Sequence, residues 1–425
     1  MAAMRLVRAA MHSTVAPEVA LSLLDARARA RGLPPPAALS GEWFGSRAVL
    51  APSVAIGEVA PDSAYSLPML PVDGVVPGAI GGGWFGYLSY DLTDPSGRRT
   101  PLPRAAWGWA DHVLRLDSDG TWWFEALVDG DEPHELRQEL EAVLRGVPPR
   151  HGWTPTELHR PLPAEHHDAV KACVHAIEAG ELFQANICTR FSAAFDGNAA
   201  ELFGEGTRRL RPRRAAFLTG DWGSVVSLSP ELFLARHGDL VRSTPIKGTL
   251  PRRGPDDDHL AGLLRQSEKD VAENVMITDL VRNDLGRVCA VGSVRVPELL
   301  AVRPAPGVWH LESTVEGRVV TGDAALLEAT FPPGSVTGAP KIRALDLIAE
   351  LEPVPRGVYT GAMGLVSPVA GLELNVAIRT FELHAGRLWL GVGGGITADS
   401  DPAREWQECL HKAAPLDRLL ATPWG

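Results

Sequence analysis

At 425 residues, with 45% hydrophobic and 22% charged residues, the chain can bury a large core and lacks the composition of a disordered protein. The net charge of −11 argues against nucleic acid or an anionic membrane as a partner, because either would favour a basic surface. No stretch reaches the roughly 18 uninterrupted apolar residues that cross a bilayer. This acidic charge makes a small molecule the better default substrate. The four cysteines have neither CxxC nor zinc-site spacing, so we expect reduced thiols in a cytoplasmic protein.

The N-terminal region, residues 1–150, is predicted to be rich in β-structure. A first helix ends at Gly32, and a second helix is expected over 131–146. The Pro- and His-rich segment 147–164 is typical of a linker and is the predicted internal boundary. Together with a catalytic region over 165–420, the N-terminal region is expected to form one large globular unit. Alternating apolar residues predict strands in WFGYLSYDL, AWGWADHVLRL and TWWFEAL.

After the linker, helices and strands intermix without the regular alternation of a doubly wound fold. The pattern predicts a helix ending near Gly180, a strand, and then a hairpin in ELFLARHGDLVRS. A long helix is expected from about Gly254 to Asp284, two strands around Gly371, and a glycine run before the last helix. These elements favour an α+β fold with mainly antiparallel sheets.

A single lysine, Lys247, follows the predicted hairpin in the stretch TPIKGTLPRRG. Base rates for lysine exposure favour a solvated side chain at the start of a loop. However, Glu231 begins the same hairpin, and hairpin geometry allows the acid and the amine to meet in one cleft.

Two predicted helices carry pairs of acidic residues. Asp270 and Glu273 share one face of a largely apolar helix, and burying an unpaired carboxylate costs several kcal/mol. In the last helix, Glu405 and Glu408 cluster with Lys412 away from the apolar stripe. These acids could form salt bridges or face solvent; alternatively, two carboxylates from each helix would suit Mg²⁺.

Other residues are ambiguous on their own. The run Gly393 to Gly395 could form a backbone nest for an anion, or simply a tight turn into the last helix. Arg379, in the apparent strand LNVAIRTFEL, could clamp a carboxylate or pair with a neighbouring acid. Tyr359 and His310 could be catalytic, although buried, hydrogen-bonded residues of these types are commoner.

Taken together, the motifs resemble the chorismate-utilising enzymes. The resemblance covers roughly residues 165–420, whereas the N-terminal region is similar only through GGGWFGYLSYDL. It implies one large α+β fold of two stacked, mainly antiparallel sheets flanked by helices, with the active site between the sheets. The motifs that carry it are GELFQANICTRFSA, SLSPELF, PIKGTLPR, EKDVAENVMITDLVRNDLGR, GSVTGAPKIRA, YTGAMG, AIRTF, GGGITADS and EWQECLHK.

The resemblance also implies roles for single residues. It implies Mg²⁺ held by Glu273 and Glu408, with Asp270 and Glu405 as outer carboxylates, bridging to the ring carboxylate of chorismate. The Glu231 carboxyl is expected to help expel the C4 hydroxyl. The side chains or amides expected to contact substrate are those of Arg379, Tyr359, His310, Thr337, Lys412, Gln184, Gly393, Gly394 and Gly395.

Lys247 separates the branches of this family. Anthranilate synthases usually read PIAGT, whereas PIKGT is similar to aminodeoxychorismate synthases, which serve p-aminobenzoate and folate formation or a derived secondary metabolite. In that branch the lysine attacks ring C2 before ammonia attacks C4, which requires a neutral amine. Isochorismate-forming members use a lysine base where this chain has Gln184, and glutamine cannot accept a proton.

The ammonia source is expected to be a partner protein. No cysteine has the GxCxG context of a glutamine amidotransferase, so a separate amidotransferase subunit is the expected donor. Two departures from the family pattern are Pro333, in place of a glycine, and the absence of an evident tryptophan-binding motif around ALSGEWFGS. An anthranilate synthase and a non-catalytic chorismate-binding subunit remain as alternatives.

Overall fold

Two large β-sheets with helices outside them form the protein, which confirms the predicted α+β class. The computed structural model describes residues 4–149, 151–252 and 254–423; Arg150, within the predicted linker, lies outside the described residues. The strands before the predicted linker are β1 Met4–Met11, β2 Ala37–Trp43, β3 Ser46–Ala51, β4 Gly57–Glu58, β5 Val72–Asp73, β6 Gly83–Leu88, β7 Ala105–Ala110, β8 His112–Asp117 and β9 Trp122–Val128. The first strand after it is β10 Gln184–Ala194.

The remaining strands lie further along the chain. They are β11 Arg214–Gly220, β12 Gly223–Ser229, β13 Leu232–His237, β14 Leu240–Thr244, β15 Ile246–Pro251, β16 Arg295–Ala305, β17 Val308–Arg318, β18 Gly338–Ala339, β19 Ala362–Ser367, β20 Gly371–Val376, β21 Thr380–His384 and β22 Arg387–Ile396. The α-helices are α1 Pro17–Arg31, α2 His134–Val143, α3 Pro163–Glu178, α4 Ala199–Leu210, α5 Ala261–Leu264, α6 Glu268–Gly286, α7 Asp323–Thr330, α8 Lys341–Leu351 and α9 Pro402–Ala421.

Strands from both sides of the linker contribute to both sheets. The first sheet has the order β18-β10-β22-β21-β12-β11-β2-β3-β8-β9-β1-β5, and the second has β15-β17-β14-β13-β20-β19-β6-β7-β4 with β16 on β17. Strand β11 pairs with β2, and β19 pairs with β6. In the described part of the chain every strand pairing is antiparallel except that of β1 with β5.

A hydrophobic core fills the space between the sheets. Leu39 and Leu218 of the first sheet belong to the same buried cluster as Phe85, Tyr87 and Met363 of the second. Burial of such side chains contributes about 1.5–3 kcal/mol each. The apolar residues of the N-terminal strands therefore pack into a core that they share with strands from after the linker.

Helices cover the outer faces of both sheets. A second cluster joins α1, α4 and α9 to the first sheet, for example through Leu21, Phe203 and Trp406. A third cluster packs α6 and α7 against the second sheet through Ile277 and Leu326. No helix among the described residues has the length and apolar composition needed to cross a membrane.

The predicted helix from Gly254 to Asp284 is wrong as a single element. The chain forms a 3₁₀ segment over Pro255–Leu260, the short helix α5, and then α6. Ser267 separates the last two, since its hydroxyl accepts a hydrogen bond from the Asp270 amide and caps α6. The break places Asp270 in the first turn of α6 and Glu273 in the next turn.

The chain crosses from one sheet to the other at two neighbouring points. Residues 230–231 join β12 of the first sheet to β13 of the second, and residues 377–379 join β20 back to β21. Each crossing is hydrogen-bonded to a strand that borders the other crossing. The Val376 amide donates to the Glu231 carbonyl, and the Leu228 amide donates to the Arg379 carbonyl. Both crossings carry candidate site residues.

Candidate active site

Glu231 lies at the first crossing and is almost fully buried. Burial raises its pKa to about 7, although a hydrogen bond from the Ser335 hydroxyl and the charge of Lys247 oppose the shift. Its Oε1 also lies 3.4 Å from the Ile246 amide. The predicted hairpin of β13 and β14 is confirmed, and it brings Glu231 beside the strand that carries Lys247.

Lys247 is not a solvated loop residue, and that base-rate interpretation is wrong. It is the second residue of β15, its side chain is 10% exposed, and its Nζ lies 3.7 Å from Glu273 Oε2. The strand pairs with β17, and α6 packs against it, so the lysine stem is enclosed. The amine therefore faces the acidic residues of α6.

His310 of β17 lies close to this group. Its Nδ1 is 3.1 Å from the Thr249 hydroxyl, and its buried Nε2 has no hydrogen-bond partner among the described residues. Burial, with the charges of Arg379 and Arg213, lowers its pKa to about 3. His310 is therefore neutral at physiological pH, and Nε2 is free to contact a ligand.

Arg379 lies in the second crossing, between two strands. The strand that the alternating pattern predicted at this position is therefore wrong. Its φ is +50°, a backbone conformation that residues with a Cβ rarely adopt. Its guanidinium makes no hydrogen bond or ion pair to the described residues, and burial lowers its pKa against the opposing charge of Glu231. A half-buried arginine whose donors no described residue uses is suited to bidentate binding of a ligand carboxylate.

The carboxylates of α6 and α9 come together with lysines between them. Lys269 Nζ lies 2.9 Å from Glu405 Oε1 and 3.9 Å from Glu273 Oε1. On α9, Lys412 Nζ lies 2.7 Å from both Glu408 Oε1 and the Gly393 carbonyl oxygen. Burial raises the pKa of Glu273, and the charges of Glu408 and Asp270 raise it further, whereas the charges of Lys247 and Lys269 lower it.

These donors are compatible with Mg²⁺, although they are not arranged around one point. In the described ranges, no group of three acidic or histidine side chains is positioned to hold a metal ion, and Lys269 serves as a counter-ion instead. Two observations fit a cation. Glu405 Oε2 is buried and has no hydrogen-bond partner in the part of the chain that the structure describes. A Cβ at Gly394 would lie 3.3 Å from it and 3.5 Å from Glu408 Oε1. Carboxylate oxygens are the ligands that Mg²⁺ prefers.

The glycine run does not form a nest or a turn. Gly393, Gly394 and Gly395 lie in β22, paired with Cys188, Ile187 and Asn186 of β10, and none of the three has a positive φ. Their role is to leave space. A Cβ at Gly395 would lie 2.6 Å from Gln184 Nε2, 2.7 Å from Glu273 Oε2 and 3.2 Å from Lys247 Nζ. Glycine at this position therefore lets the amide, the acid and the amine share one pocket.

The other predicted contacts surround the same region. Gln184 is 1% exposed, and its Oε1 has no hydrogen-bond partner among the described residues. The Thr337 hydroxyl donates within its own turn, to the carbonyls of Pro333 and Gly334. The buried Tyr359 packs its ring against Gly391, and its hydroxyl lies 3.9 Å from Cys188 Sγ. Gln184 borders Lys247, since a Cβ at Gly395 would contact both side chains.

Two residues of the site were missed from the sequence. Lys269 precedes Glu273 by four residues, a spacing that predicts an ion pair, but only the structure brings Glu405 to the same ammonium. Ser335 carries no sequence signal for its contact with Glu231, because the two residues are about a hundred positions apart.

Comparisons with known proteins place this chain in a family. The sequence profile of the chorismate binding enzymes matches residues 56–418. Aminodeoxychorismate synthase component 1 of Klebsiella aerogenes is 39% identical over 355 residues, which cover 80% of this chain and 76% of that protein. Anthranilate synthase component 1 of Streptomyces coelicolor is 36% identical over 380 residues, covering 81% and 73%. The crystal structure of anthranilate synthase component I from Streptococcus pneumoniae superposes with a TM-score of 0.74 at 26% identity, covering 97% and 92%.

Proposed function

Because the chain belongs to the chorismate binding enzymes, we propose that it replaces the C4 hydroxyl of chorismate with an amino group from ammonia, which yields 4-amino-4-deoxychorismate. The observation that carries this proposal is the position of Lys247, enclosed in the site with its Nζ 3.7 Å from Glu273. A lysine supplies the nucleophile of the mechanism proposed below, and two relatives that the match covers to 76% of their length are named aminodeoxychorismate synthase component 1.

The proposed reaction has two displacement steps. In the first, the unprotonated form of the Lys247 amine bonds to ring C2 while the C4–O bond breaks, and Glu231 donates the proton that lets the hydroxyl leave as water. In the second, ammonia bonds to C4 while the C2–N bond breaks, which returns the lysine. A carboxyl with a pKa of about 7 is suited to the donor role, because a large fraction is protonated at neutral pH.

Three further side chains would bind and orient the substrate. Arg379, with its unused donors, would bind a carboxylate of chorismate. The neutral His310 would contact the ring through Nε2. Gln184 borders Lys247 and offers an amide but no base, which supports amination over attack by an activated water.

We also propose that Mg²⁺ binds between α6 and α9. Glu273 and Glu408 would hold the ion, and Asp270 and Glu405 would support them. When bound, it would neutralise the ring carboxylate of chorismate and fix its orientation. The Lys269 ammonium, which now lies between Glu405 and Glu273, would have to leave that position.

A separate glutamine amidotransferase subunit is the proposed ammonia donor. The name component 1 of the relatives supports a second component, and all four cysteines of this chain are buried. Burial raises the pKa of Cys173, Cys188 and Cys409 to about 12, which makes them poor nucleophiles for glutamine hydrolysis.

Formation of anthranilate is the second candidate function, since anthranilate synthase component 1 of S. coelicolor is nearly as similar in sequence. One experiment distinguishes the two. The pure chain is incubated with chorismate, Mg²⁺ and ammonium, an aminodeoxychorismate lyase is added, and the aromatic amine is identified by chromatography. We expect para-aminobenzoate. Anthranilate as the product would favour the second candidate, and unchanged chorismate would favour a non-catalytic chorismate-binding subunit.

Replacing Glu231 by glutamine is expected to lower kcat about 100-fold, on the scale of general acid catalysis. In the unmodified enzyme, kcat at a fixed concentration of free ammonia should fall as the pH rises through about 7, because the Glu231 carboxyl loses its proton there. The variant should lack this limb of the pH profile. The change Glu205→Gln, which alters a buried glutamate paired with arginines on α4, serves as the control. A profile that is the same in both variants would exclude Glu231 as the proton donor.

A further inference from the structure

Arg356 lies in the loop after α8 and is only 4% exposed. Its guanidinium uses its donors on four different groups, and its centre lies 4.5 Å from the ring centroid of Tyr90. Nη1 donates to the Val336 carbonyl at 2.8 Å and to the Thr360 hydroxyl at 3.3 Å, whereas Nη2 donates to the Asn186 carbonyl at 2.5 Å. The fourth group is the carboxylate of Glu352, at 2.6 and 2.8 Å.

Three of these groups lie beside candidate substrate-binding residues. Asn186 follows Gln184 by two positions on β10. Val336 immediately precedes Thr337, and Thr360 immediately follows Tyr359. The three segments are separate in the sequence. One buried guanidinium therefore joins the backbone next to Gln184, Thr337 and Tyr359.

The ion pair between Arg356 and Glu352 connects the guanidinium to a further residue of β10. Glu352 Oε1, which accepts from Arg356, also accepts a hydrogen bond from the Cys188 amide at 2.8 Å. A planar guanidinium presents several donors in fixed directions, whereas an ammonium of the same charge does not. Lysine at position 356 could therefore keep the charge but could not make all of these contacts at once.

Thr360 needs this support because its backbone has a φ of +64°. Residues with a Cβ rarely adopt that conformation, and it persists where the surroundings hold it. The Thr360 amide donates to the Ala377 carbonyl, and its hydroxyl contacts both Arg356 and the Tyr359 carbonyl. These contacts link the strained turn to residues 377–379, the crossing that carries Arg379.

We propose that Arg356 is a positioning residue of the chorismate site, which holds Gln184, Thr337 and Tyr359 in the relative positions that substrate binding requires. This inference rests on the proposed function. Arg356 acts through its neighbours, because every donor of its guanidinium is engaged by the protein.

The test compares Arg356→Lys with Arg115→Lys. Arg115 is also 4% exposed and forms a buried ion pair with Glu125 at 2.8 Å, but it lies on β8, towards the opposite end of the first sheet from β10. Steady-state kinetics with ammonium give KM and kcat for chorismate. Calorimetric titration gives the Kd of chorismate, and thermal unfolding gives Tm.

We expect Arg356→Lys to raise KM and Kd for chorismate about 10-fold or more, with a smaller change in kcat, because small displacements of binding groups weaken binding and orientation. The Arg115→Lys change should lower Tm by a similar amount and leave KM and Kd unchanged. If Arg356→Lys alters only Tm, or if both variants alter KM equally, the proposal is overturned.

A milder variant decides the matter if Arg356→Lys does not fold. Glycine adopts a positive φ without strain, so Thr360→Gly should fold, yet it loses the hydroxyl contact to Arg356. Its Kd for chorismate should rise several-fold, and an unchanged Kd would overturn the proposal. Failure of the unmodified chain to aminate chorismate refutes the proposed function alone, since the Kd comparison still decides the role of Arg356. Failure of the unmodified chain to bind chorismate refutes both.

Discussion

Replacing Lys247 by alanine is expected to lower kcat with ammonium about 1000-fold or more, the scale on which loss of a covalent nucleophile slows other enzymes. The Lys247 amine is enclosed in the site beside Glu273, and its charge acts on the pKa of Glu231. The other lysines near the acidic residues lie on α6 and α9. Chorismate consumption and formation of the amine, followed by chromatography, measure the effect.

The variant Lys247→Arg separates nucleophilic attack from charge. Arginine keeps a cation beside Glu273 but cannot act as a neutral amine, since its guanidinium stays protonated. We expect it to be nearly as slow as the alanine variant. Lys171→Ala, at a largely exposed position on α3, is the control and should retain full activity. Rapid turnover by Lys247→Arg would mean that ammonia attacks C4 directly, without a lysine adduct.

Removal of divalent cations with EDTA is expected to reduce turnover to background, and added Mg²⁺ should restore it. Glu273, Glu405 and Glu408 lie near one another, and a substrate carboxylate would add a further negative charge that the present lysines do not balance. Burial and the neighbouring acids already raise the pKa of Glu273, which indicates repulsion that a divalent cation would relieve.

Calorimetric titration with Mg²⁺ tests the proposed ligands independently of activity. Glu273→Gln and Glu408→Gln should each weaken Mg²⁺ binding about 10-fold or more, since even residues that only support metal ligands change affinity 10- to 100-fold. Glu316→Gln is the matched control, because Glu316 is a similarly buried glutamate paired with Arg242 and Arg295. Full turnover in EDTA, or equal Mg²⁺ affinity in all variants, would rule out this site.

Local pattern was sufficient for much of the fold. The α1 helix ends as predicted before Gly32, which adopts a φ of +63° and caps it with backbone hydrogen bonds. The hairpin turning at Gly238 and the strands that flank Gly371 are also confirmed. In these cases the turn chemistry and the period of apolar residues depend on adjacent positions, which a sequence displays directly.

Predictions failed where a local pattern had more than one solution. Alternation around Arg379 predicted a continuous strand, but the chain changes sheets there. Alternating apolar residues occur on both sides of the crossing, so the sequence pattern does not show where one strand ends and the next begins. The glycine run is a strand and not an anion-binding nest, because it pairs with β10 along its length. Within it, Gly395 leaves room for Gln184, Glu273 and Lys247 from other elements.

The sequence by itself determined the α+β class, most of the elements and the chemical types available to the site, since propensity, periodicity and motif order are local properties. Only the tertiary structure decided which of those groups meet. It encloses Lys247 beside Glu273, inserts Lys269 between acids of two helices, and joins three binding segments through Arg356. The physical reason is that burial and distance between remote residues set the pKa of Glu231 and the partners of each charge, and neither is encoded in spacing along the chain.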